Sequence, residues 1–164
     1  MEYKESLNPE DWNTLVYSVL WVFHSVAGAD GIIDKKEQLA LRTICQKAGA
    51  LNSSLAEEVL IEIEQGIGNY FRLSMNDQRD FRIGLAEAVS VLNKNLSIEK
   101  NLNFRKILLA IGFYIGNVSG EGEGTRLSKE ELKVIGVLAG LLQLSKDDMN
   151  RSPTVSELMA ILAS

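Results

Sequence analysis

Apolar side chains recur along this chain every three to four residues, and no Val/Thr/Tyr alternation of useful length breaks the pattern. That period predicts helices throughout and no sheet. The first helix opens at Asn8, with Pro9 at its first position and Glu10 and Asp11 in its first turn. Trp12, Leu15, Val16, Val19, Leu20, Phe23 and Val26 mark one face, and the helix ends near Ala29. A second starts at Asp34 with Glu37 as capping-box partner, carries Leu39, Leu41, Ile44 and Ala48, and closes at Gly49. Ser54 with Glu57 starts a third, acidic outside at Glu57, Glu58, Glu62 and Glu64, which stops around Gly66-Ile67-Gly68. A fourth runs from near Asn76 through Phe81, Leu85, Ala88 and Leu92 to about Asn95.

Ser97 opens a fifth helix reaching about Val118, and Ser128 with Glu131 caps a sixth that reaches about Leu142. Between them lies Ser119-Gly120-Glu121-Gly122-Glu123-Gly124-Thr125, the clearest loop in the chain. Ser145 with Asp148 starts a short turn, and Thr154 with Glu157 caps a last helix. The reading is an all-α, single-domain bundle of seven to eight helices over residues 1–164. Helices five and six are apolar nearly all round, which predicts that both sit in the middle of the bundle. Each also carries glycines four apart, Gly112 with Gly116 and Gly136 with Gly140. One helical turn separates each pair, so the two helices are expected to cross closely there.

The stretch from Val26 to Glu37 carries the candidate chemistry. Asp30-Gly31-Ile32-Ile33-Asp34 followed by Glu37 matches the second half of an EF-hand calcium loop, in which glycine turns the chain and the final Glu chelates. Val26 and Gly28 stand where that loop places its first carboxylates, so an intact EF-hand is not expected. A half-loop needs further ligands from elsewhere in the fold. Two readings stand for Asp30, Asp34 and Glu37: turn and capping chemistry, or cation ligation. All-oxygen ligation suits calcium, magnesium or manganese. His24, the only histidine, would bring in zinc if it faced the carboxylates, and otherwise is structural.

Composition narrows the function classes. Apolar residues make up 46% and charged residues 24% of 164, as in a soluble globular domain. The net charge of −5 argues against nucleic acid as a partner. Residues 72–106 hold seven basic and four acidic side chains; solvated helix faces account for that excess more simply than an anionic site. Cys45 is the only cysteine, so no intrachain disulfide and no cysteine zinc cluster can form. No local signature joins Cys45 to His24 as nucleophile and base, and Trp12, Trp21, Phe23 and Tyr114 read as core. The N-terminus is polar and the apolar runs are too short to span a bilayer, so a cytoplasmic protein without direct membrane insertion is expected.

The opening stretch has an echo. Ile33-Asp34-Lys35-Lys36-Glu37 aligns with Leu127-Ser128-Lys129-Glu130-Glu131, each after a long apolar helix and an acidic, glycine-containing turn. Two helix–acidic loop–helix units result, near residues 10–49 and 98–142. Ala29-Asp30-Gly31-x-Ile33-x-x-x-Glu37 and this late repeat resemble the TerB-like tellurite-resistance family, from about residue 12 to 144. The resemblance implies an all-helical domain with a divalent metal held by acidic residues of both loops. Asp30 and Glu37 carry over from the first motif and Glu131 from the second; where the family's second loop repeats Asp-Gly, this chain has Ser119-Gly120 with Glu121 and Glu123. It further implies a non-enzymatic stress-response role in concert with protein partners, membrane-bound components of a resistance system among them. The chain is expected to be a monomer or weak dimer. The alternative is a helical protein–protein interaction module whose acidic loops are merely caps, and a metal-dependent hydrolase is the third reading.

Overall fold

Residues Pro9–Ala27 form the helix around which the others gather. The computed structural model describes residues 1–28, 35–118 and 127–164. Within these the elements are α1 (Glu2–Ser6), α2 (Pro9–Ala27), α3 (Lys35–Gln46), a 3-10 turn (Ala48–Leu51), α4 (Ser54–Gln65), α5 (Ile67–Asn76), α6 (Phe81–Asn95), α7 (Ile98–Val118), α8 (Lys129–Leu141), α9 (Lys146–Asn150) and α10 (Val155–Ala163). No strand occurs among the described residues, as the helical period requires. None of these helices is long and apolar enough to cross a membrane.

Capping follows the sequence closely. Asn8 accepts from the Asp11 N–H with Pro9 behind it, and Thr154 accepts from the Glu157 N–H. Ser128 with Glu131 and Ser145 with Asp148 form reciprocal capping boxes. Such caps remove orphan donors at helix starts and are worth about 1 kcal/mol each. The cap of α4 is Ser53 rather than Ser54, with its side chain accepting from the Ala56 N–H.

Two helices are enclosed. α2 buries residues all round, from Trp12 through Ala27, and packs on α6, α7, α5 and α8. α7 buries an unbroken run from Lys106 to Gly112 and lies against α2, α10, α3 and α8. α6 approaches α2 because Gly84 leaves room for Trp21. A Cβ there would stand 2.5–2.6 Å from three atoms of that ring.

The central pair is therefore α2 and α7, not α7 and α8. α8 buries only Glu131, Ile135 and Leu138 and leaves Leu132 and Val137 exposed. Gly112 and Gly116 do admit neighbours: a Cβ on Gly112 would lie 3.3 Å from Leu138 and 3.4 Å from Val22, and one on Gly116 would overlap Leu127. Gly136 and Gly140 face outward with nothing within 4 Å, so the expected glycine-on-glycine crossing does not form. One glycine pair is enough when the partner helix supplies the knobs.

Other differences have local causes. α5 occupies residues expected as a loop and the lead-in to a later helix. Gly66 ends α4 and at once serves as the N-cap of α5, so two helices meet at one residue. Glu62, expected outside, is 7% exposed. It accepts from Lys4 Nζ at 2.9 Å and from the Tyr70 hydroxyl. Burial alone pushes the Glu62 carboxyl up, but the hydrogen bonds from Tyr70 and Lys4, with the Lys4 charge, outweigh it and hold the group low. Three of the seven basic side chains in 72–106 are structural rather than solvated. Arg79 bridges Asp77 at 2.8 Å and lies over the Trp21 ring. Arg105 donates to the Leu142 and Gln143 carbonyls at 2.9 and 3.1 Å. Buried Lys106 donates to those of Arg151 and Pro153 at 3.1 and 2.8 Å.

Candidate metal centre

The ends of α2 and α7 lie together. Val22 stands against Gly112, and Val26 against both Gly112 and Gly116, so the two helices run parallel and finish at the same end of the bundle. α8 returns antiparallel to α7, with Leu127 and Ile135 beside Gly116 and Leu138 beside Gly112. Six residues separate Gly28 from Lys35, so α3 starts at that end too. Connectivity and packing thus bring the N-terminal turns of α3 and α8 to one end.

Each turn points a glutamate inward. Glu37 is 1% exposed and Glu131 5% exposed. Carboxylates are rarely so buried unless their charge is met. The cause is helical register. Counting from Glu37, Leu41, Ile44 and Ala48 stand at +4, +7 and +11; from Glu131, Ile135, Leu138 and Leu142 stand at the same offsets, and all six are buried. Those offsets lie within about 40° of the glutamate on a helical wheel. The core that takes the apolar stripe therefore takes the glutamate as well. Leu39, expected inward, is two residues or roughly 200° from Glu37. It is 64% exposed. Ala40 and Cys45 occupy the buried face instead.

Glu131 is also a cap: its Oε1 accepts from the Ser128 N–H at 2.9 Å, and its own N–H donates to Ser128 Oγ at 3.1 Å. Capping alone does not need burial, since Asp148 makes the same box at an exposed site. Asp30 and Asp34, expected to join Glu37, lie outside the described residues, as do Glu121 and Glu123. Among the described residues no three His, Cys, Asp or Glu side chains come close enough to hold a metal ion. Glu37 and Glu131 fit a hard cation by donor type and burial, as two of the six to eight oxygens that calcium takes.

His24 is engaged elsewhere. Its Nε2 lies 3.3 Å from Ser74 Oγ, and its ring meets Phe71 edge-on at 5.0 Å. Ser74 Oγ also lies 3.0 Å from the Phe71 carbonyl, so the serine hydroxyl sits between that carbonyl and the His24 ring. Burial lowers the His24 pKa from its ordinary value. Cys45 is buried in the core, which pushes its thiol up to about 12 and leaves it unreactive at neutral pH. Trp12, Trp21 and Phe23 are core residues, and Tyr114 is half-buried against that core.

The inward direction of the two glutamates was available in the amino-acid pattern. Apolar residues at +4, +7 and +11 from both Glu37 and Glu131 are a stronger mark of equivalence than the short motif identity. No protein-family model, curated protein or solved structure matches the chain.

Proposed function

We propose that this chain is a non-enzymatic, metal-binding stress-response protein of the TerB-like kind. A divalent cation joins the two helix–acidic loop–helix units, with Asp30, Asp34, Glu37 and Glu131 as its proposed ligands. The supporting observation is the pair of buried carboxylates at matching register positions, at one end of the bundle. The all-oxygen donor set favours calcium, magnesium or manganese. Zinc would need His24, whose Nε2 already pairs with Ser74 Oγ. On this reading the protein works in the cytoplasm with membrane-bound partners, and the cation stiffens a surface that those partners meet.

Calorimetric titration of chelator-treated protein with calcium, magnesium, manganese and zinc tests the reading. Saturable heat in the wild type that Glu37→Gln abolishes is the expected result. Absence of binding for all four would overturn it. The second reading, a metal-free interaction module, draws on the outer face of α8, where Leu132 and Val137 are 53% and 38% exposed beside Gly136 and Gly140. A negative titration would leave that reading in place.

A further inference from the structure

A second feature of the molecule lies on the flank of α2, between α3 and α5. A cavity of about 380 Å³ is lined by His24, Gln38, Arg42, Ile67, Phe71 and Met75. Its two sides differ in chemistry. The apolar side is half-buried Ile67 and Phe71. The Phe71 ring is fixed edge-on against Phe23 at 5.2 Å and His24 at 5.0 Å. The polar side is Gln38 and Arg42, one turn apart on the outer face of α3. Neither makes a hydrogen bond or ion pair with any described residue, in contrast to Arg79, Arg105 and Lys106, which donate to protein oxygens. Among the described residues no carboxylate lines the cavity.

The adjoining hollow, of about 610 Å³, shares His24 and Met75 but is closed electrostatically. There Asp77 holds Arg79, and Asp80 caps α6 through the Ile83 N–H. Among the described residues lining the two hollows, Arg42 on the α3 side is a cation with no ion pair to a described residue, next to an apolar wall. A guanidinium recognises a carboxylate through paired N–H donors, and a rigid aromatic wall receives an alkyl or aryl body. His24 adds to the polar side. Its Nε2 lies 3.3 Å from Ser74 Oγ, which leaves the other ring nitrogen, Nδ1, as its second polar atom. Met75, 68% exposed and unbranched, borders both hollows and can fold over an occupant.

We infer that the cavity between α2, α3 and α5 binds a small monocarboxylate with an apolar tail, the carboxylate on Arg42 and Gln38 and the tail against Phe71 and Ile67. The site shares no side chain with the proposed cation centre and stands or falls separately from it.

Octanoate is the probe, with 1-octanol and octylammonium as matched controls. Because His24 is the only histidine, its ring proton resonance reports on the two hollows that it borders, and the Arg42→Gln variant tells them apart, since Arg42 lines this cavity and not the adjoining one. Octanoate should shift that resonance saturably at sub-millimolar to millimolar concentration, whereas octylammonium should not. Arg42→Gln should weaken octanoate by about tenfold or more, the loss expected for one charge-assisted pair. Arg72→Gln, an exposed arginine bonded to Asn69 and absent from the cavity, should leave it unchanged. Arg42 is exposed and has no hydrogen-bond or ion-pair partner among the described residues, so its variant keeps the fold, which the circular dichroism spectrum checks. An unmoved resonance, equal binding of 1-octanol and octanoate, or equal binding by Arg42→Gln would each overturn the proposal.

Discussion

α7 lies between α2, α3, α8 and α10, while α8 meets the bundle along a single stripe. Both carry long apolar runs, and both have two glycines a turn apart. In α7 the run from Lys106 to Gly112 is buried all round; in α8 only Glu131, Ile135 and Leu138 are. An apolar composition therefore states what a helix is able to bury, and the number of neighbours decides what it does bury. The glycines make the same point. Gly112 and Gly116 receive Leu138, Val22, Val26 and Leu127, whereas Gly136 and Gly140 face open space.

This contrast breaks first at the glycines. Gly112→Leu should overpack the contact with Val22 and Leu138 and cost roughly 3 kcal/mol in urea unfolding, while Gly136→Leu stays within about 0.5 kcal/mol. Equal costs at the two sites would show that α8 is as enclosed as α7. Next in size is Lys106, 2% exposed and tied to two carbonyls. Lys106→Ala removes both bonds and should lose about 2 kcal/mol, against almost nothing for Lys133→Ala on the outer face of α8. Ser128→Ala should cost about 1 kcal/mol by removing the cap of α8, read as a lower urea midpoint at unchanged slope. The smallest effect has the opposite sign. Gly136→Ala meets nothing within 4 Å. It should stabilise by roughly 0.5–1 kcal/mol, because alanine loses less backbone entropy in a helix.

The helical class, the caps at Asn8, Ser128, Ser145 and Thr154 and the span of α7 were legible because each rests on local chemistry: a side-chain oxygen three residues ahead of an orphan N–H, or a 3.6-residue period. Burial was legible only in part. The wide apolar coverage of α2 read as one face, and only the positions of α6 and α7 show why it is enclosed. α5 was hidden by Gly66 and Gly68, two residues that usually mark loops. Glu62 went unrecognised as a buried anchor because its partners, Lys4 and Tyr70, come from α1 and α5. At the candidate centre the acidic motif named Glu37 and Glu131, and the apolar offsets behind them carried the inward direction. The sense in which α2, α7 and α8 run, which gathers both glutamates at one end, follows from packing that no local pattern records.

The central claim is that a divalent cation joins the two pseudo-repeat units through Glu37 and Glu131. Thermal melting in chelator and in millimolar calcium, magnesium, manganese or zinc tests it most directly. A cation that binds only the folded chain adds about 2.7 kcal/mol at a hundred times its dissociation constant, which raises the melting temperature of a domain this size by roughly 5–10 °C. Glu37→Gln should remove most of that rise and Glu131→Gln part of it. Identical melting of the wild type in chelator and in all four cations would contradict the claim, leaving the buried glutamates as caps alone.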